Sequence, residues 1–170
     1  MKKYKLTDET TDVLGITLHR VKALKDFDDV KKGELGGYVE SERNLSQAGN
    51  CWVYGNAKVC DNAKVCDNAW VYGNAKVYGN AKVCDNAKVC GDAMICSDTD
   101  YMSIKGLGSE YRSTTIFRTK GKNIAVRCGC FYGTLTEFVD RVKEAHGNSK
   151  YAKEYLALVD LVKIHFESEE

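Results

Sequence analysis

Between Asn50 and Ser97 the chain repeats itself every six residues: eight consecutive hexads, six of which read Asn-Ala-x-Val-(Tyr or Cys)-(Gly or Asp). A valine recurs at Val53, Val59, Val65, Val71, Val77, Val83 and Val89, Ile95 closes the series, and an alanine stands two places before all but the first. An α-helix of about 3.6 residues per turn cannot keep that set on one face, whereas a β-solenoid can. Three hexads then make a triangular coil of about 18 residues, with Val and Ala pointing inward and the residues between them outward. The Gly-Asn, Asp-Asn and Gly-Asp pairs fall at the corners, where tight or positive φ is needed. Proline is absent from the whole chain, as a continuous ladder of donors requires. Forty-eight repeat residues give about 2.7 coils, and Val39 and Leu45 supply a further irregular one. So short a stack needs covered ends.

Acidic and basic residues balance, with 25 Lys and Arg against 24 Asp and Glu. No segment carries the basic excess of a general nucleic-acid binder, and no apolar run reaches the length of a membrane span. The charged start Met-Lys-Lys-Tyr-Lys has no apolar stretch behind it, so no secretion signal is read and a cytoplasmic location in the host bacterium is expected. Five of the eight cysteines (Cys60, Cys66, Cys84, Cys90, Cys96) occupy the hexad position that Tyr fills elsewhere, which marks a tolerant ladder site. Cys66 and Cys84 are one coil apart, within reach of a disulfide, although a reducing compartment disfavours it. Asp67 stacks over Asp85 in the same way; such corner carboxylates either hold a cation or serve as turn residues beside the lysine stripe, and the turn reading is preferred.

Residues 1–38 read as an N-terminal β cap, with a strand over Thr17–Leu24 and turns at Asp26–Val30 and Lys32–Gly37; 39–97 form the solenoid, and 98–170 a small α+β domain. In that last part Tyr101–Ile104, Tyr111–Thr119 and Ile124–Phe131 are strand-like, giving three strands. Thr134 and Glu137 make a capping box for a helix to about His146, and a second helix covers about Lys150 to Phe166. The last coil is closed either by Tyr101–Ile104 or by these helices.

The hexads resemble those of left-handed parallel β-helices, from which the left hand is inferred. Leu35-Gly36-Gly37-Tyr38-Val39-Glu40-Ser41-Glu42, Asn44-Leu45-Ser46, Cys51-Trp52-Val53-Tyr54-Gly55-Asn56-Ala57 and Cys128-Gly129-Cys130-Phe131 resemble phage and prophage hexapeptide-repeat proteins of the polymer-forming type. That resemblance implies a phage interaction protein. One form of it is an inhibitor of a host bacterial defence system that works by protein contact or by sequestering a nucleotide signal.

Hexapeptide-repeat proteins also include trimeric acyltransferases, with a catalytic histidine on a coil or its loop, and zinc carbonic anhydrases, with histidines from adjacent coils. Here the histidines are His19, His146 and His165, none of them in a hexad. A non-enzymatic protein without a cofactor is therefore expected, with an acyltransferase and a self-assembling structural solenoid as the alternatives. Trp52, Tyr54, Trp70 and Tyr72 flank inward valines on one prism face. They form a candidate binding surface or homo-oligomer interface, for a dimer or trimer, unless the chain itself covers them. Arg112 and Arg118 share strand parity and Arg127 lies on the next strand, a candidate phosphate site set against ordinary solvated strand charges. Cys128, Cys130 and His146 are a weak metal-ligand set, with core packing the preferred role for the thiols.

Overall fold

A computed structural model describes residues 1–167 of the chain. The N-terminal segment forms an antiparallel hairpin of β1 (Tyr4–Val13) and β2 (Ile16–Ala23), followed by β3 (Leu35–Val39). The hexads then give eight two-residue strands: β4 (Trp52–Val53), β5 (Lys58–Val59), β6 (Lys64–Val65), β7 (Trp70–Val71), β8 (Lys76–Val77), β9 (Lys82–Val83), β10 (Lys88–Val89) and β11 (Met94–Ile95). They stack in parallel, in register, into three faces. The first carries β4, β7 and β10; the second β5, β8 and β11 behind β3; the third β6 and β9 below a bridge from Leu45 to Val65. Val39 sits over Val59 and Leu45 over Val65, so the irregular first coil exists as expected.

Every inward residue of the repeat from Val53 to Ile95, valines and alanines alike, is fully buried. The corners explain the Gly and Asp at the sixth hexad position. Asp61, Asp67 and Asp85 have φ of 56°, 56° and 59°, and Gly73 has 71°. This left-handed region suits Gly and, among other residues, favours Asn and Asp. At Gly73 a side chain is also excluded by space, since its Cβ would lie 2.9 Å from the Gly91 nitrogen one coil below.

Both ends of the stack are closed by the same chain. The hairpin extends the second face, giving the order β1-β2-β3-β5-β8-β11. Lys3 crosses the first coil with its ammonium buried, donating to the Cys51 carbonyl at 2.8 Å and more weakly to those of Gly49 and Ala48. The Tyr4 hydroxyl donates to the Leu45 carbonyl at 2.6 Å. Carbonyls that have no coil above them thus find donors.

At the other end lies an antiparallel sheet of β12 (Tyr101–Leu107), β13 (Arg112–Arg118), β14 (Ile124–Cys128) and β15 (Phe131–Thr134), in that order. Phe117 and Ala125 of this sheet join the solenoid core, and the Thr115 hydroxyl accepts from the Lys88 amide at 3.0 Å. The closure is therefore made by β13 and β14 together with Tyr101 of the expected Tyr101–Ile104 segment, which packs on the same core and donates from its hydroxyl to the Lys82 carbonyl at 2.8 Å, and not by the helices. The sheet has four strands and not three, because Gly129, at φ 57°, turns the chain and splits the expected third strand into a hairpin.

The sheet's other face carries α1 (Leu135–His146) and α2 (Lys150–Phe166), which bury Phe138, Val142, Tyr155, Leu158, Val162 and Phe166 against Ile116 and Val126. The capping box is present: the Thr134 hydroxyl accepts from the Glu137 amide, and the Glu137 carboxylate accepts from the Thr134 amide.

Asp100 ties the last hexad to this sheet. Its carboxylate accepts from the amides of Cys96 and Ser97 at 2.9 and 3.0 Å and faces the Arg118 guanidinium at 3.5 Å. Burial alone would raise its pKa, but the hydrogen bonds from Cys96 and Ser97 and the charge of Arg118 outweigh that and hold it below the ordinary value. A depressed carboxyl pKa adds stability that is present above the unfolded value of about 3.9 and is lost as pH falls through the folded one. Asp100→Asn should therefore lower the urea midpoint at neutral pH, with the gap to the parent closing below about pH 4. A gap independent of pH would assign Asp100 a packing role alone.

Candidate functional site

A cleft of about 450 Å³ opens where the first solenoid face, the loop between β2 and β3, and the edge of the four-stranded sheet meet. The repeat places Trp70 on β7 and Lys88 one coil below it on β10, and the Lys88 ammonium lies over the Trp70 ring at 5.0 Å from its centre. The far wall contributes Arg112 at the start of β13, Arg127 on β14 and Lys105 on β12, while Asp28 and Asp29 come from the loop. Four cations thus face two carboxylates around a partly exposed indole. Such a site suits an anionic ligand with a flat group to stack.

Arg127 is anchored from behind: its Nη1 donates to the carbonyls of Cys130 and Phe131 at 3.2 and 3.4 Å. Its Nε is buried and, among the described residues, has no hydrogen-bond partner. The Tyr72 hydroxyl nearby is pushed up to about 12, chiefly by burial and by its contact with Cys90, with Arg127 opposing. Arg112 is half exposed and only loosely paired, 3.8 Å from Glu110, so its guanidinium is free to turn to a ligand.

The structure divides the sequence-derived candidates. Trp52 is fully buried and does not belong to any surface: Tyr4 and Phe27 of the cap pack edge-on against it at 6.0 and 5.3 Å. Tyr54 lies between Trp52 and Trp70, half buried, and Tyr72 is half buried beside Arg127. The aromatic face is thus covered at its first coil by its own chain, which removes Trp52 from the candidate surface, while Tyr54, Trp70 and Tyr72 remain partly exposed.

The arginine trio also separates. Arg112 and Arg127 line the cleft, but Arg118 is at the opposite end of β13 from Arg112, paired with Asp100, donating to the Phe166 carbonyl and lying 5.2 Å over the Phe166 ring. The register explains it: Arg127 pairs with Thr115, on the solenoid side of β13, whereas Arg118 pairs with Ile124, whose side chain packs with the helices. Cys128, Cys130 and His146 do not converge. Cys128 accepts from the Thr114 hydroxyl, Cys130 is exposed, and His146 stacks on Tyr155 at 5.8 Å.

Lys88, Lys105, Asp28 and Asp29 were not singled out in the sequence. The 18-residue period would have found Lys88, directly below Trp52 and Trp70; nothing local marks the other three.

No protein-family model matches the chain. Over 62 residues it is 36% identical to YdcK of Escherichia coli strain K12, described as an uncharacterized acetyltransferase; the match covers 32% of this chain and 19% of that protein. The chain therefore spans about a fifth of the relative it matches. The repeated hexads and the architecture agree on a hexapeptide-repeat β-solenoid. The expectation of a non-enzymatic protein, drawn from coils without histidine, is overturned by this similarity to a protein named as an acetyltransferase. The missing coil histidine excludes one placement of a base, not the reaction. Neither the fold nor this relative bears on a phage origin or on bacterial defence. Among the described residues no helix is long and apolar enough to cross a membrane.

Proposed function

We propose that this protein is an acyltransferase of the hexapeptide-repeat type, and that the cleft between solenoid and sheet receives a phosphate-bearing acyl donor of the acyl-CoA class. The reading is carried by the convergence of Trp70, Lys88, Arg112 and Arg127 on one cleft. Guanidiniums offer bidentate donors to phosphate oxygens, and the Lys88 ammonium, on swinging from the Trp70 ring to a phosphate, would open that face of the indole to a base. The similarity to an acetyltransferase supplies the reaction class. In that reaction an acceptor amine or hydroxyl adds to the thioester carbonyl, the thiolate of the donor departs, and the acceptor's proton passes to a base. Asp28 and Asp29, the carboxylates that line the cleft, are the groups we assign to that last role.

Calorimetry with CoA and acetyl-CoA tests the binding step. Arg112→Ala and Lys88→Ala should each weaken affinity about tenfold or more, since one charge-assisted contact is worth about 1.5–3 kcal/mol. Turnover with a panel of amine and hydroxyl acceptors is best followed by chromatography of released CoA, because the chain's own eight cysteines would react with a thiol reagent. Absence of any CoA binding would overturn the proposal. Binding of cyclic dinucleotides or ADP-ribose derivatives in its place would assign the same cleft to a nucleotide signal, which is the form of the anti-defence reading that this chemistry favours.

A further inference from the structure

We propose that Cys66, Cys84 and Asp67 form a binding site for a thiophilic divalent cation, Zn²⁺ before others, on the outside of the third solenoid face and away from the cleft. The repeat builds this site. At the fifth hexad position the first face stacks Tyr54, Tyr72 and Cys90, and the second stacks Cys60, Tyr78 and Cys96, so tyrosine interrupts both columns. Only the third face sets two cysteines in consecutive coils, since β6 and β9 pair with Val65 over Val83 and the Cys66 amide donates to the Val83 carbonyl at 3.0 Å. The ligand atoms of Cys66, Asp67 and Cys84 all lie within 4.8 Å of one another, the one such trio among the described residues.

The backbone holds the donors together before any ion arrives. Asp67 is at the left-handed corner with φ 56°, which turns its carboxylate back beside its own Cys66 thiol, 3.5 Å away. The Asp85 amide donates to that carboxylate at 3.3 Å and fixes it across the two coils. The Asp85 carboxylate, 3.8 Å from the Cys84 sulfur, is a fourth donor within reach. Tetrahedral zinc with two thiolates at about 2.3 Å and a carboxylate at about 2.1 Å needs donors about 3.5–3.8 Å apart, so closure asks for side-chain shifts of an ångström or less. Two sulfurs and a carboxylate select zinc over calcium or magnesium, which take oxygen alone. Both thiols are half buried and Asp67 is exposed, which leaves the remaining coordination position open to water or to Asp85.

Binding converts two thiols and one carboxylate into a complex of net charge −1 and releases two protons, so affinity should fall steeply as the solution is acidified.

The test uses Co²⁺ as the probe, with the whole chain kept reduced under exclusion of oxygen. The parent should take up one Co²⁺ with intense thiolate-to-cobalt absorption, which Zn²⁺ then bleaches. Cys66→Ser and Cys84→Ser should each abolish that absorption, Asp67→Asn should weaken uptake about tenfold or more, and Cys96→Ser, in a different column, should leave it intact. Retention of the signal in both Cys66→Ser and Cys84→Ser, or no thiolate absorption in the parent, overturns the proposal. A measurement on the parent alone guards against variants that fail to fold. Zn²⁺ should slow alkylation of Cys66 and Cys84 while that of the exposed Cys130 continues, as read by peptide mass spectrometry; equal rates with and without Zn²⁺ also overturn it. Formation of a Cys66–Cys84 disulfide on oxidation should in turn eliminate metal uptake, and uptake that survives the disulfide counts against the site.

Discussion

Val71→Asp should unfold the solenoid. Val71 is fully buried, with Val53 in register above and Val89 below, so the new carboxylate would enter a column of aliphatic side chains. It would sooner take up a proton than stay charged, yet its neutral form finds no hydrogen-bond partner among valines and alanines. An uncompensated buried charge costs about 3–5 kcal/mol or more, a large part of the 5–15 kcal/mol that typically holds a domain together. Lys76→Asp is the control. Its side chain is exposed and stacks on Lys58 one coil above, so the change replaces a like-charge neighbour by an opposite one. Circular dichroism should show the β signal lost in the first variant and a melting temperature at or above the parent's in the second. Equal melting of both would reverse the assignment of inward and outward residues.

What the repeat dictates was legible because it is local and periodic. One valine every six residues names the inward column, and the Gly or Asp that follows names the corner at positive φ. Where the chain leaves the period, legibility depends on whether local pattern or tertiary partners decide the structure. The capping box at Thr134 and the two amphipathic helices were readable, since helices advertise their buried side and their ends. Strand β1 was not: Tyr4–Val13 is dominated by Thr, Asp and Glu and lies mostly exposed at a sheet edge, held by pairing with β2 through the Leu14-Gly15 turn, at φ 51° and 84°. No alternation of apolar residues marks such an edge. The Gly129 turn was missed because a single glycine between Cys128 and Cys130, with no Asn, Asp or Pro beside it, is a weak turn signal.

The cleft shows the same division. Parity placed Trp52 and Trp70 correctly on the outside of the coils, but parity is silent on what comes to lie over them. Tyr4 and Phe27, the residues that cover Trp52, stand 48 and 25 positions earlier in the chain. Strand parity grouped Arg112 with Arg118, whereas the site pairs Arg112 with Arg127. The reason is position along the strand. Arg112 begins β13 after Tyr111, which takes a φ of 49°, so its side chain passes the Gly129 turn to reach the cleft instead of following the helix-side row. Lys105 and the Asp28–Asp29 loop reach the site through the folding of flanking segments that share no period with the repeat.

Two tryptophans that occupy equivalent places in the repeat should therefore behave in opposite ways. Trp52 is sealed between the cap and the first coil, and truncating a buried aromatic side chain costs about 3–5 kcal/mol. Trp52→Ala should melt about 10 °C or more below the parent, and Phe27→Ala, which removes part of the same seal, should lower the melting temperature by less. Trp70 is half exposed, with Tyr54 against one side and the Lys88 ammonium over its ring. Trp70→Ala should stay within a few degrees of the parent and, on the proposed CoA-binding role of the cleft, weaken CoA binding, because base–aromatic stacking is worth about 1–3 kcal/mol. Thermal melts and calorimetry on the same samples separate the two. Equal loss of stability would mean that the repeat position sets the role of each ring, and a stable Trp52→Ala would mean that the cap leaves that indole uncovered. The opposite outcomes follow from one physical difference: the repeat presents both rings outward, and the chain that folds back over the first coil turns one into core while leaving the other partly exposed in the cleft.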